Sequence, residues 1–215
     1  MTDGPTTSTP LPPGGTKSLF ERAKDIIMSP RTEWAVIENE PATIGGIYTS
    51  YVMILAAIGP IAGLIGQQVF GLGYGIKPSL GFSIGTAVIT YVMSLIGVYV
   101  TALIINALAP SFGGTKDMLR AFKVAAYSST AAWLAGIFGI VPMLAILAIV
   151  GLYSLYLLYL GLPRLMRVSE DKAMGYTVVV IIAWIVIYVL ILFVVGLLVA
   201  TFFGALVMNA PVVRY

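Results

Sequence analysis

The sequence predicts an all-α polytopic membrane protein, a bundle of five transmembrane helices preceded by short amphipathic interfacial helices. Of its 215 residues 59% are hydrophobic and 10% are charged, whereas about a quarter of an ordinary soluble domain is charged. A run of about 20 apolar residues crosses the roughly 30 Å hydrocarbon layer as a helix. Because the apolar runs are continuous rather than alternating, a helical bundle is expected instead of a β-barrel. There are five such runs: Thr43–Phe70, Phe82–Ala109, Ala121–Phe138, Val141–Leu162 and Thr177–Met208.

The basic residues predict how the chain is oriented. Ten of the twelve Lys and Arg residues precede the first run, lie in the second and fourth connections or, in the case of Lys123, stand at the start of the third run, and only Lys77 and Arg214 fall on the other side. Under the positive-inside rule the N-terminus is therefore cytoplasmic and the C-terminus lies outside. The ten residues are Lys17, Arg22, Lys24, Arg31, Lys116, Arg120, Lys123, Arg164, Arg167 and Lys172.

Three segments are predicted along the chain. Residues 1–16 are polar and rich in Pro, Gly and Thr, so they are expected to form a disordered tail, unlike a signal peptide. Residues 17–41 are predicted to form two cytoplasmic amphipathic helices at the membrane interface, and residues 42–215 the five-span domain.

The two amphipathic helices have recognisable faces and ends. In the first, Phe20 and its apolar neighbours at helical spacing oppose a face that contains Arg22. Ser29 and Pro30 are predicted as the N-cap and first residue of the second helix. Trp34 is expected to anchor that helix at the interface. Packing of both helices under the bundle is an alternative that does not exclude the first.

Glycine and proline residues predict breaks within the spans. Gly59-Pro60 is expected to kink the first span, and the Gly59/Gly63 pair is expected to serve packing within the chain rather than dimerisation. Residues 136–142 contain Gly136, Gly139 and Pro142, which predict a tight turn between the third and fourth spans. The third run contains Lys123 near its start, so a re-entrant or tilted helix is an alternative for residues 121–138. The last run is long enough to tilt or to project beyond the membrane.

The residue types limit the chemistry that this chain can perform. No Asp, Glu, Lys or Arg lies in the centre of any run, and the chain contains neither His nor Cys. Nucleophilic sites that need His or Cys, and thiolate or imidazole metal sites, are therefore excluded. We predict a protein that is not an enzyme and holds no cofactor. The basic residues follow the topology, so anionic lipid headgroups are expected as neighbours rather than nucleic acid.

Polar residues inside the spans form a candidate seam. Such a seam can line a path for a lipid or small solute, or its members can hydrogen-bond between helices, which is the favoured interpretation. A row of Tyr153, Tyr156 and Tyr159 on the fourth span is likewise expected to pack against a neighbour. The seam residues are Thr90, Ser94, Thr101, Asn106, Ser128, Ser129 and Thr130.

Three segments together resemble the Yip (Ypt-interacting protein) domain family of five-span membrane proteins, in its bacterial branch. They are EWAVIENEPATIGGIYTSYV, FGGTKDMLRAFKVAAYSSTAAWLAGIF and YLLYLGLPRLMRVSEDKAMGYTVVVII. The resemblance implies an N-terminus in the cytoplasm and a location in the bacterial inner membrane, with the C-terminus periplasmic. It does not extend to binding of Rab-type GTPases, because the acidic N-terminal region and Asp-Leu-Tyr-Gly-Pro stretch of eukaryotic members are missing. The best-matching residues are Tyr159, Gly161, Leu162, Pro163, Met166, Lys172, Ala173 and Tyr176.

Two functions are carried forward. The first is a non-enzymatic scaffold or adaptor that organises membrane lipids, unidentified membrane or cytoplasmic proteins, or further copies of itself as a homo-oligomer. The second is a transporter or channel for a lipid or small solute, using the polar seam. Pro163 is expected to end the fourth helix. The predicted cytoplasmic contact surface of the scaffold comprises Trp34, Lys116, Arg120, Lys123, Pro163, Arg164, Arg167, Lys172 and Tyr176.

Overall fold

The computed structural model describes residues 17–71 and 77–208 of the chain. Every regular element within these residues is helical, so the predicted all-α class is confirmed. The predicted disordered tail, residues 1–16, lies outside the described residues, as do residues 209–215.

The ten α-helices of the described residues are joined by short 3₁₀ and π-helical segments. The α-helices are α1 (Leu19–Met28), α2 (Pro30–Asn39), α3 (Ile44–Ile47), α4 (Met53–Ala56), α5 (Ile58–Phe70), α6 (Leu80–Leu108), α7 (Met118–Ser128), α8 (Thr130–Ala135), α9 (Tyr153–Met166) and α10 (Glu170–Met208). A π-helical segment covers Tyr48–Val52, and 3₁₀ segments cover Ala109–Phe112, Gly136–Ile140 and Pro142–Leu152.

Four helical stretches of the described residues are long and apolar enough to cross a membrane, and they correspond to the predicted first, second, fourth and fifth spans. The last belongs to a helix of 39 residues, about 58 Å long, which exceeds the hydrocarbon thickness and fits the predicted tilt or projection. The four stretches are Ile44–Phe70, Leu80–Phe112, Ile146–Met166 and Glu170–Thr201.

The predicted third span, residues 121–138, is not one continuous helix. It is divided into α7, α8 and the 3₁₀ segment Gly136–Ile140, with the first break at Ser129. Residues 121–128 are all buried by the surrounding helices. This stretch therefore packs in the middle of the bundle, and the four other stretches expose more of their surface.

The bundle gathers its basic connections at one end. The backbone N–H of Thr115 donates to the carbonyl of Met166 at 3.0 Å, which joins the connection after α6 to the end of α9. Nε of Arg164 in α9 lies 3.0 Å from Oε2 of Glu38 in α2. Lys77 lies in the connection between α5 and α6, at the other end. We call the first the basic end and the second the opposite end.

The first span is interrupted where its proline predicts. Pro60 lacks the N–H that would bond the carbonyl of Ala56 four residues earlier. The helix accordingly stops at Ala56, and α5 begins after the turn at Ala57. The predicted kink at Gly59-Pro60 is thus found one turn before the proline.

Glycines of α5 pack against the chain turn between the third and fourth spans. A Cβ atom on Gly66 would lie 2.5 Å from the carbonyl oxygen of Gly139, and a Cβ on Gly136 would lie 2.8 Å from Cα of Gly59. Val141 then adopts an extended conformation before the next 3₁₀ segment. Gly59 therefore packs within the chain as predicted, whereas a Cβ atom on Gly63 would meet nothing within 4 Å. The predicted turn at residues 136–142 is present.

The predicted end of the fourth helix at Pro163 is wrong. Pro163 lies inside α9, which continues to Met166. The helix ends instead at Arg167, whose φ of 56° lies in the left-handed region, where its N–H donates to the carbonyl of Pro163. A left-handed residue at this position is a common way for a helix to stop, although glycine usually occupies it.

Candidate functional site

The helical hairpin formed by α1 and α2 docks into the bundle through Trp34. This side chain is 0% exposed. Its ring lies over Gly161 of α9, where a Cβ atom would be 2.6 Å from Cζ2 of the indole, and its edge meets the ring of Tyr127 at 6.5 Å. The expectation of an interfacial anchor is therefore wrong: the missing side chain at residue 161 makes a slot that takes the indole inside the protein.

The predicted apolar face of α1 is buried at Ala23 and Ile26, and the structure departs from the prediction at two other residues. Phe20, placed on the apolar face, is 74% exposed, whereas Arg22, placed on the polar face, is 4% exposed. Ser18 caps α1 and forms a capping box with Glu21. Ser29 lies at the N-cap position of α2 without a side-chain cap, and Pro30 is its first residue, as predicted.

An ionic network holds the two helices of the hairpin together. Arg22 pairs with Glu33, which is 3% exposed, and also with Glu40. Nζ of Lys17 lies 2.6 Å from Glu33 and 2.7 Å from Asp25. A buried charge is costly unless it is paired and hydrogen-bonded, and here cations and carboxylates neutralise each other. The hydrogen bond from Lys17 keeps the pKa of Asp25 below its ordinary value.

Polar contacts continue from this network into the bundle. The guanidinium of Arg22 lies 5.5 Å from the ring centre of Tyr127, a cation–π distance. The ring of Tyr127 meets that of Tyr51 at 4.9 Å. The hydroxyls of Tyr51 and Thr130 share a hydrogen bond of 2.7 Å in the interior. The hairpin is thus connected to α7, α8 and the first span by charge, aromatic and hydroxyl contacts.

Lys123 stabilises the end of α2 from inside the bundle. Its side chain is 4% exposed, and Nζ donates to the carbonyls of Ile37 at 2.7 Å and Glu40 at 2.6 Å. Carbonyls at a helix C-terminus lack partners in the helix and carry partial negative charge. Lys123 was predicted to lie on an outward contact surface, and it is instead a buried cap for the hairpin.

The outward part of the predicted contact surface is formed by the connection after α6 and by the adjoining ends of α9 and α10. Lys116, Arg164, Arg167 and Lys172 are exposed there, and the Thr115–Met166 hydrogen bond joins the connection to the end of α9. Nearby, Arg120 and Pro163 are partly buried. Nε of Arg120 lies 3.2 Å from Asp117, and its Nη1 donates to the carbonyl of Leu165.

Tyr176 does not belong to that outward surface. It is 0% exposed. Its hydroxyl donates to the carbonyl of Ile105 at 2.5 Å, and its ring stacks on Phe112 at 5.0 Å. Tyr176 therefore fastens α10 to the end of α6, directly behind the exposed cations.

The predicted polar seam does not form one face. Thr90 is exposed, whereas Thr101 and Thr130 are buried. Oδ1 of Asn106 is buried without a hydrogen-bond partner in the described residues. Four of the hydroxyls instead donate to backbone carbonyls three or four residues earlier in the chain: Thr101 to Gly97, Ser128 to Val124, Ser129 to Ala125 and Thr130 to Tyr127.

The residues that sequence reasoning missed are the carboxylates of α2 and the hydroxyl of Tyr51. Glu33, Ile37 and Glu40 are spaced four and three residues apart, so they share a helix face. That spacing was a signal that both carboxylates lie on the buried side. No pattern in the sequence indicated that Arg22 would turn inward to meet them.

Comparisons with known proteins agree with this architecture. The Yip1 domain family matches residues 24–194. The inner membrane protein YohC of Escherichia coli strain K12 is 30% identical over 112 residues, which is 50% of this chain and 57% of YohC. YohC of E. coli O6:H1 strain CFT073 matches to the same extent. The match thus spans little more than half the length of these curated relatives. No solved structure matches the chain.

Proposed function

We propose, from the premise that this chain belongs to the Yip1 domain family, that it is a non-enzymatic scaffold or adaptor of the bacterial inner membrane. Its basic end would face the cytoplasm and bind protein partners, with the C-terminus periplasmic. The inner membrane location is supported by its relative YohC, an inner membrane protein. The orientation is supported by the positive-inside rule, since the basic connections share one end.

The observation that carries the proposal is the arrangement of cations at the basic end. The cations of the hairpin interior are paired with carboxylates, whereas Lys116 in the connection before α7, Arg167 at the end of α9 and Lys172 in the first turn of α10 remain exposed. Arg167 also occupies a left-handed backbone position that disfavours a side chain. Strain of this kind is a reason to suspect a functional role for the residue.

The positions and hydrogen bonds of the polar-seam residues favour the scaffold over the transporter. A path for a polar solute needs groups that face a common space. The hydroxyls of Thr101 and Ser128 are occupied by carbonyls of their own helices, and Thr90 is on the exposed surface.

The proposal is tested by affinity purification from the native membrane in nanodiscs, with quantification of co-purified proteins. Wild type is compared with a variant that combines Lys116→Glu, Arg167→Glu and Lys172→Glu, and with Thr90→Val/Ser94→Ala as the matched intramembrane control. We expect a stoichiometric partner that the charge-reversed variant loses and the control retains. A partner retained by both variants, or lost only in the intramembrane variant, would argue against the scaffold.

A further inference from the structure

A cleft of about 720 Å³ opens on the side of the bundle between α1, α8 and the 3₁₀ segment Pro142–Leu152. Its walls include Ile27, Leu134, Phe138, Val150 and Tyr153. Val150, 55% exposed, belongs to one of the apolar membrane-crossing stretches. The cleft therefore opens towards lipid rather than towards either aqueous phase.

The cleft is suited to hydrocarbon. Its one phenol, Tyr153, donates its hydroxyl to the carbonyl of Ile27 at 3.0 Å, so this polar group is already satisfied. The other side chains named on its walls are apolar. Volumes of 300–1,000 Å³ are typical of ligand sites, and burial of apolar surface is their main source of affinity.

The hairpin brings a cation to the same place. Contacts between α2 and α9 run in register, from Glu38 with Arg164 at the basic end to Trp34 with Gly161 further in. The bond from Tyr153 to Ile27 lies further still along α9, 11 residues before Arg164, or about 16 Å. The tip of the hairpin, next to Ile27, therefore lies beside the cleft and at this distance from the level of Arg164.

The exposed residues of α1 are Phe20, Glu21, Lys24 and Met28. Phe20, Lys24 and Ile27 follow at helical spacing, and side chains one turn apart are neighbours. Lys24 is exposed and Phe20 is 74% exposed. Arg22 of α1 pairs with Glu40, which follows the end of α2, so the two helices are antiparallel. Lys24 therefore lies nearer to the basic end than Ile27 does, between the cleft and the headgroup region.

We infer that the cleft and Lys24 together form a binding site for one phospholipid with an anionic headgroup. An acyl chain would occupy the cleft beside Ile27 and Val150, and the ammonium of Lys24 would contact the headgroup phosphate. Long basic side chains near a membrane surface extend their charge to the headgroups in this way. The site is separate from the exposed cations of the basic end that are proposed to bind protein partners, and it does not depend on them.

The full chain in nanodiscs of phosphatidylglycerol and phosphatidylcholine in equal amounts tests this inference by native mass spectrometry. Wild type is expected to retain one phosphatidylglycerol per chain. Val150→Trp fills the cleft from its exposed side and should lower that occupancy at least fivefold. Its control, Ile182→Trp, places the same ring on an exposed residue of α10 and should leave occupancy unchanged.

The headgroup part of the site is tested in the same nanodiscs. Lys24→Gln should abolish the preference for phosphatidylglycerol over phosphatidylcholine, whereas Lys77→Gln, an exposed lysine at the opposite end, should preserve it. Equal occupancy in wild type and Val150→Trp, or an unchanged preference in Lys24→Gln, overturns the inference.

A measurement on unmodified protein guards against misfolded variants. Phosphatidylglycerol with a photoactivatable group at its acyl terminus should label peptides covering residues 131–153 in wild type. Labelling confined to α10 would overturn the site.

Discussion

The indole of Trp34 packs directly against the backbone at Gly161, and this contact fixes the N-terminal hairpin to the bundle. A Cβ atom at residue 161 would lie between 2.6 and 2.9 Å from three carbons of the indole, which is 0% exposed. Since a glycine is needed here for the approach of a large ring rather than for its backbone angles, this position tests whether docking of the hairpin depends on packing.

Gly161→Ala is expected to loosen the hairpin. Overpacking a filled interior typically costs about 1–3 kcal/mol, and the indole has little room to withdraw. Thermal unfolding in detergent should show a lower midpoint, and proteolysis within residues 17–41 should become faster. Gly196→Ala is the control, because nothing lies within 4 Å of a Cβ there. Equal stability of the two variants would contradict this role.

Glu33→Gln is expected to be strongly destabilising. It removes the carboxylate that pairs with both Arg22 and Lys17. Breaking a buried ion pair by removing one partner costs about 3–5 kcal/mol. The control is Glu170→Gln, since Glu170 is an exposed residue of α10. A double-mutant cycle with Arg22→Gln measures the coupling, and additive effects of the two substitutions would show that the pair is not coupled.

Gly66→Ala should disrupt the contact between α5 and the turn that follows the third span. The new methyl group would meet the backbone oxygens of Gly139 and Ile140 at 2.5 and 2.7 Å, and backbone cannot rotate away as a side chain can. We expect a loss of about 1–3 kcal/mol in unfolding free energy. Gly63→Ala, one turn away, has open space and should be neutral or slightly stabilising.

Two substitutions of Arg167 test the role of its charge separately from the role of its backbone conformation. Arg167→Gly should stabilise the end of α9 by about 1 kcal/mol, because glycine has no penalty in the left-handed region. Arg167→Asn tolerates the same backbone conformation and removes the charge. If the scaffold proposal holds, both variants should bind the partner more weakly without loss of thermal stability. A destabilised Arg167→Gly would show that the arginine side chain itself supports the fold.

The absence of cysteine in the sequence allows a clean test of orientation. Single substitutions Lys116→Cys and Lys77→Cys place thiols on exposed residues at the two ends of the bundle. In intact spheroplasts a membrane-impermeant maleimide should label residue 77 and leave residue 116 unlabelled until the cells are opened. The reverse pattern would invert the proposed topology.

Much of the architecture could be predicted because the bilayer imposes it. Continuous apolar stretches longer than about 17 residues must be helical to satisfy their backbone groups, and Pro60 removes a specific hydrogen bond. The turn at residues 136–142 follows from local glycine and proline chemistry in the same way. The end of α9 could not be predicted, since Pro163 is accommodated inside the helix and a strained Arg167 provides the stop.

The candidate site was predicted only in part. The exposed cations Lys116, Arg167 and Lys172 follow from position relative to the spans. Whether a polar residue such as Lys123 faces water or the interior depends on which carbonyls a neighbouring helix offers, and no local pattern encodes that.

The apolar composition and the distribution of basic residues along the chain were enough to determine the helical membrane fold and the gathering of basic connections at one end. Both act through properties of the bilayer that do not depend on specific contacts. Tertiary structure alone decided how the amphipathic hairpin packs against the bundle. Its burial depends on contacts between distant residues: a slot at Gly161 that fits Trp34, carboxylates of α2 that neutralise Arg22, and Lys123 at the end of α2. The charged groups among them are unfavourable to bury alone and become favourable only when their partners are in place.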